Sequence, residues 1–258
     1  MELTVLGSAG TWPGPGGATC GHLLSHEGTH IWLDAGTGTF ARLQQHIDID
    51  QIAAIVITHG HTDHFIDVVP AFYARHYGGM GAPNLPFYSP DGFVEGMSML
   101  TSENGRNVMA EAYDFRTVGG GDVFDVGPLH VTAYTMTHIG VNAVGYRIEA
   151  GGAVLAYTGD SGPCEEVVEM SRDADLMVAE ATYQDASNQA FFHMSATQAA
   201  QHAAAAGAKR LLLTHILPTL DREISRDEAA VAFDGVIDLA EDDMTIEVVP
   251  MTATEIAP

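Results

Sequence analysis

A chain of 258 residues with 46% hydrophobic and 17% charged residues is long enough to bury a large core, and its composition is that of an ordinary globular protein. Its formal charge of −24, from 10 basic against 34 acidic residues with Lys209 the one lysine, would repel a polyanion and argues against a nucleic-acid-binding surface. An alternative source of such acidity is a salt-adapted proteome, in which case the charge says little about the substrate.

No stretch approaches the roughly 20 consecutive apolar residues of a membrane span, and MELTVLGSAG has neither a basic leader nor a long apolar run. The expectation is a cytoplasmic protein with one domain over residues 1–258. Cys20 and Cys164 have no neighbours of a metal or redox motif and read as reduced thiols.

In chain order, Glu2–Gly7 alternates into an opening strand, and GSAGTWPGPGGATCG after it is a loop dense in Gly and Pro. Backbone N–H groups of such a loop can cradle a phosphate, although it matches neither a P-loop nor a dinucleotide fingerprint. His22–Ser25 and His30–Asp34 form a predicted hairpin turning at Glu27 and Gly28. Thr37–His46 is a predicted helix capped by Thr37 or Thr39.

Ile52–Ile57 is apolar without alternation, as in a strand buried on both faces, and it breaks into His59, His61, Asp63 and His64. Imidazole and carboxylate are ligands for Zn, Mn or Fe, and four so close together just past a strand end converge on one site. Phe65–Tyr77 is a predicted helix start broken or kinked by Pro70. Beyond it come a strand at Leu85–Ser89, a helix over Asp91–Thr101 and a strand over Ala112–Thr117. Met97, Met99 and Leu100, with Phe72, Tyr73 and Tyr77, are either core filler or the wall of a substrate cleft or dimer contact.

His130–Thr137 alternates and delivers His138, with Val144–Glu149 as partner strand. Ala153–Thr158 ends in Gly159-Asp160-Ser161, and Pro163 is predicted at the first position of the next helix, with Glu165 and Glu166 in its first turn. Leu176–Ala179 ends at Glu180, Ser195-Ala-Thr-Gln198 is a capping box for an alanine-rich helix, and Arg210–Thr214 delivers His215. A helix over Arg226–Phe233 and a strand over Met244–Pro250 complete the pattern. Five buried strands thus end at His or Asp on one edge. His22, His26, His30, His46, His76, His130 and His202 read as packing or surface histidines.

The run T-H-G-H-T-D-H resembles the H-x-H-x-D-H signature of the metallo-β-lactamase superfamily at every fixed position. The resemblance implies a four-layer αββα sandwich with up to two divalent metal ions (Zn, or Mn or Fe) at one edge. It further implies that His59, His61 and His138 hold one ion, that Asp63, His64 and His215 hold the other, and that Asp160 bridges them. Asp34 would brace a ligand histidine. A carboxylate bridge can hold two ions about 3.5–4 Å apart with an acidified water between them, and Asp63 can also orient or deprotonate that water.

The strings A-E-A-T (179–182) and F-H-M-S (192–195) resemble elements of the tRNase Z and cyclic nucleotide phosphodiesterase branch. That assigns His193 as general acid or phosphate ligand and Glu180 as its orienting partner, although Ala179 stands where the branch has a histidine and Met194 intrudes before Ser195. The basic arm with which tRNase Z grips tRNA falls between the equivalents of His138 and Asp160, and residues 139–159 leave no room for it.

The expected function is therefore a phosphodiesterase acting on a small substrate such as the 3′,5′-cyclic nucleotide cAMP, with tRNA disfavoured as a partner and a homodimer expected from the family. Alternatives are a tRNase Z-like nuclease, a lactonase or thioesterase, and a non-catalytic metal-binding interaction protein on the same scaffold.

Overall fold

The computed structural model describes residues 1–100, 103–185 and 190–251. The chain lays down β1 (Glu2–Gly7), β2 (Gly21–His26), β3 (Thr29–Ala35), β4 (Ile52–Val56), β5 (Leu85–Ser89) and β6 (Tyr113–Thr117), which hydrogen-bond in that order. A second sheet follows from β7 (Val123–Val126), β8 (Leu129–Thr135), β9 (Val144–Ala150), β10 (Ala153–Tyr157), β11 (Leu176–Glu180), β12 (Arg210–Thr214) and β13 (Val236–Leu239). The last strand, β14 (Thr245–Glu247), returns to the first sheet and pairs antiparallel with β1.

Helices α1 (Thr39–His46), α2 (Thr62–Phe65), α3 (Val68–His76), α4 (Phe93–Ser98) and α5 (Glu103–Ala112) interleave with the first sheet. Those of the second are α6 (Glu165–Met170), α7 (Ala196–Ala206) and α8 (Arg222–Ala230). Three apolar layers hold the four structural layers together. Leu3, Leu24, Val56, Tyr146, Leu155, Tyr157 and Leu212 fill the space between the sheets. Trp32, Leu43, Ile55, Phe72 and Phe87 pack the first sheet on its helices, and Ala156, Val167, Met170, Ala200 and Leu211 do so for the second. The resulting αββα sandwich explains the unbroken apolar runs, because alternate residues of β4, β10 and β12 enter different apolar layers (Ala54 and Val56 against Ile55; Leu155 and Tyr157 against Ala156; Leu212 against Leu211 and Leu213).

Several local expectations are corrected. Pro70 does not kink a helix: the break falls earlier, at Ile66–Asp67 between α2 and α3, and Pro70 occupies the first turn of α3, where its missing N–H costs nothing. Pro163 precedes the N-cap Cys164 and so lies just outside α6, which does begin with Glu165 and Glu166. Gly38 at φ 93° caps α1, while the Thr39 hydroxyl donates back to Gly36 O at 2.7 Å. Helix α8 starts earlier than expected because the Asp221 side chain accepts from Glu223 N at 3.1 Å and sets its cap. The predicted helix over residues 91–101 is confined to α4, and its last residue, Thr101, lies outside the described residues. Cys20 and Cys164 are free thiols.

His22 is buried between the sheets, edge-on to Tyr157 at 5.1 Å, with both ring nitrogens lacking a hydrogen-bond partner. Burial pushes its imidazole down to about 4; the nearby Asp34 carboxylate opposes this, and His64 adds to it. A depressed histidine destabilises the fold where the unfolded chain binds the proton and the folded one does not. Its neutral form therefore contributes stability above about pH 6.5 that is lost as pH falls toward 4, about 3 kcal/mol in all. Denaturant unfolding at pH 7 and pH 4 should show His22→Leu losing about 3 kcal/mol less than the wild type on acidification. Equal losses would contradict a buried neutral His22.

Candidate active site

Strands β3 and β4 run parallel, as do β10 to β13, so the chain leaves each set at one edge of its sheet. At that edge the sheets meet: Val144 N–H donates to Thr58 O at 3.0 Å, and Gly10 N–H to Ile216 O at 3.1 Å. His59 follows β4, His61 stands at the N-cap of α2, and Asp63 and His64 lie in its single turn. His138, Asp160 and His215 follow β8, β10 and β12. His215 and Asp34 adopt left-handed backbone conformations, φ 55° and 56°, a strain that the surrounding packing must impose at this edge.

These residues converge in two groups. One ligand atom each from His59, His61 and His138 lies within 4.8 Å of the others, and the same holds for Asp63, His64, Asp160 and His215. Asp160 reaches into both groups. Its Oδ2 is 3.8 Å from His59 Nε2, 3.9 Å from His138 Nε2 and 3.4 Å from His215 Nε2, and its Oδ1 is 3.2 Å from His64 Nε2.

A shell of oxygens sets which nitrogen of each ring faces inward. His64 Nδ1–H donates to Asp34 Oδ2 at 2.8 Å, His138 Nδ1–H to Phe192 O at 2.9 Å and His215 Nδ1–H to Thr182 Oγ1 at 2.9 Å. Thr58 Oγ1 donates to Asp34 and so must accept from His59 Nδ1–H, at 3.1 Å. In all four rings Nδ1 is engaged outward and Nε2 is the nitrogen that faces the centre. Asp34 is the keystone, accepting also from Thr58 N at 2.8 Å and from the Tyr157 hydroxyl at 2.7 Å.

The donor set fits metal ions. His59 Nε2, His64 Nε2 and Asp160 Oδ1 are buried without a hydrogen-bond partner, and His138 Nε2, an acceptor once its Nδ1–H is spent on Phe192 O, lies 2.9 Å from His61 Nδ1. Burial pushes the His59, His61 and His138 imidazoles down toward the neutral form that binds metal. Burial also pushes the Asp160 carboxyl up, yet the His215 and His64 imidazoles outweigh it and hold Asp160 well below the usual carboxylate range.

The second pair is equally ordered. His193 Nδ1–H donates to Glu180 Oε1 at 2.9 Å, and its ring stacks on His215 with centroids 5.7 Å apart. Glu180 is fully buried and accepts from Ser161 N at 2.7 Å and from the Thr182 hydroxyl. Burial lowers the His193 imidazole, but Glu180 by charge and hydrogen bond, with Asp160 behind it, outweighs burial and pushes it up to about 9.

Every residue singled out for the site thus comes to one edge. Thr58, Tyr157 and Thr182 were not singled out; they lie inside or beside the quoted motifs, but nothing in their spacing says what their hydroxyls reach. The glycine-rich loop is not a phosphate cradle. Its Ser8 and Ala18 N–H groups go to Asp242, and its Thr11 N–H goes to Asp63 Oδ2 at 3.1 Å. The aromatic and methionine wall is also absent from the site: Phe72 and Met97 are buried under the first sheet, while Tyr73, Tyr77, Met99 and Leu100 are exposed. His30, His46, His130 and His202 pair with Ser25, Asp243, Asp125 and Gln198 O, away from it.

A family described as "Beta-lactamase superfamily domain" matches residues 29–216. The chain is 32% identical over 247 residues to the uncharacterized protein ML1173 of Mycobacterium leprae, covering 92% of this chain and 85% of that one. It is 30% identical over 244 residues to the probable metallo-hydrolase YhfI of Bacillus subtilis, covering 93% and 97%. The crystal structure of YhfI superposes with a TM-score of 0.86 over 95% of this chain and 98% of that one, at 26% identity. Human tRNase Z, short form, shares the fold with a TM-score of 0.74 over 97% and 100%, at 23% identity. Fold and family together define a metallo-hydrolase. The chain belongs to the beta-lactamase superfamily.

Proposed function

We propose that this protein is a dinuclear metal-dependent phosphodiesterase acting on a small substrate, a 3′,5′-cyclic nucleotide. The observation that carries the reading is the Glu180–His193 pair, held at 2.9 Å beside the carboxylate of Asp160. In this reading His59, His61 and His138 would hold one ion, Asp63, His64 and His215 the other, and Asp160 would serve both. Such ions (Zn, Mn or Fe) supply an acidified water and positive charge opposite the attacked group.

The remaining work falls to the chain's own groups. Asp63 Oδ2 is fixed by Thr11 N–H and stands 3.3 Å from His215 Nε2, from where it can orient the attacking water. With Nδ1–H committed to Glu180, the opposite nitrogen of His193, Nε2, is the one that serves a phosphate oxygen and passes a proton to the departing ribose oxygen. Glu180 cannot follow the proton away, because Ser161 N and Thr182 Oγ1 pin it. The bond from phosphorus to the 3′ oxygen breaks as the water oxygen bonds phosphorus; the water gives up a proton to Asp63, the 3′ oxygen takes one from His193 Nε2, and the product is a 5′-monophosphate.

Ribonuclease Z of Listeria innocua, 28% identical over 295 residues, supports phosphodiester chemistry on this scaffold. An RNA-sized substrate is disfavoured by the −24 charge and by the short 139–159 connection. A lactonase or thioesterase has no evident use for the Glu180–His193 pair. Protein reconstituted with Zn or Mn and offered 3′,5′-cyclic nucleotides, lactones and thioesters should release nucleoside 5′-monophosphate. Turnover of lactone or thioester with cyclic nucleotides untouched would overturn the assignment.

A further inference from the structure

Next to the histidine cluster opens a cavity of about 420 Å³, within the range of about 300–1,000 Å³ for small-molecule sites. The segments that carry the cluster form one wall: Gly60 sits between His59 and His61, and Val141 and Asn142 follow closely on His138. The strand bridge between His59 and Ala143 closes that seam. The opposite wall is the turn after β5, with Asp91 and Phe93, and Gly96 of α4. A group anchored at the Asp160 centre therefore has this cavity as its neighbour.

The lining is selective. Among the described residues no Lys or Arg lines it, so it offers nothing to a second phosphate or a carboxylate. Phe93 and Val141 supply apolar contact for a flat ring. Asn142 donates its side-chain N–H to Asp91 O at 3.0 Å, which ties the two walls together and leaves the amide oxygen as an acceptor. The polar side chains that line the cavity are those of Asp91, an exposed carboxylate that can only accept, and Asn142, which keeps its carbonyl and its second amide N–H.

We propose that this cavity holds the nucleobase of the substrate and that Asp91 reads its N–H edge, favouring guanine over adenine. The inference rests on the phosphodiesterase reading for the identity of the substrate. Guanine presents two adjacent donors, N1–H and the 2-amino group, which match the two oxygens of a carboxylate. Adenine presents one donor beside the N1 lone pair, which a carboxylate repels. A carboxylate at this position thus selects partly by repulsion.

Two variants test the cavity in different ways. Asp91→Asn keeps the shape and removes the charge, whereas Gly96→Leu fills the space. A side chain at Gly96 meets nothing within 4 Å, and leucine is the better helix former there. Free guanosine and adenosine, titrated into the purified protein by calorimetry, carry no phosphate, so their binding succeeds or fails independently of catalysis. Guanosine should bind about tenfold more tightly than adenosine. Asp91→Asn should erase that preference, and Gly96→Leu should weaken both nucleosides by about tenfold or more. Equal binding of the two nucleosides, no binding of either, or indifference to both substitutions would overturn the proposal. If guanosine binds as described while wild-type protein cleaves no phosphodiester, the phosphodiesterase reading fails and the base site stands.

Discussion

Asp160→Ala is expected to lower metal-dependent phosphodiester turnover by about 10³-fold or more, equivalent to roughly 4 kcal/mol of transition-state stabilisation, while the protein stays folded. Asp160 is the residue whose carboxylate approaches both histidine groups, with oxygens 3.2–3.9 Å from His59, His64, His138 and His215. Among the described residues no neighbouring carboxylate can take over that position, because Asp63 lies in one group and Asp34 is spent on Thr58, His64 and Tyr157. The variant should also retain less metal per chain, and circular dichroism would establish that the sandwich persists. Unchanged turnover would contradict the catalytic reading and favour a metal-binding scaffold protein.

The second large effect is expected at His193, and it should depend on the leaving group. A ribose oxygen needs a proton to depart, whereas p-nitrophenolate leaves without one. His193→Gln should therefore lower turnover of a 3′,5′-cyclic nucleotide by about 10²–10⁴-fold and that of bis(p-nitrophenyl) phosphate by less than about tenfold. An equal loss on both substrates would reassign His193 from proton donor to phosphate ligand, and no loss on either would remove it from the reaction.

The centre was legible in the sequence for a physical reason. Ligands that share an ion must sit where the backbone leaves a sheet, so His59, His61, Asp63 and His64 appear as a polar cluster directly after an apolar strand. His138, Asp160 and His215 repeat that placement after β8, β10 and β12. Glu180 and His193 were legible only through family resemblance, since a lone histidine before a capped helix has many other fates.

The hydroxyls of Thr58, Tyr157 and Thr182 were not legible, because their partners lie across the fold: Tyr157 on β10 reaches Asp34 on β3. Strand β13, exposed or half-buried at all four residues, lacks a buried face that would imprint alternation on its sequence. The glycine-rich loop misled because composition shows that N–H groups are unencumbered by side chains, but not that Asp242, far along the chain, already accepts from Ser8 and Ala18.

The most direct measurement is turnover of bis(p-nitrophenyl) phosphate by chelator-stripped protein titrated with Zn or Mn. Activity should be absent at the start and rise to a plateau at two equivalents of metal per chain. A plateau at one equivalent, or turnover that is already full in the stripped protein, would contradict a dinuclear centre bridged by Asp160.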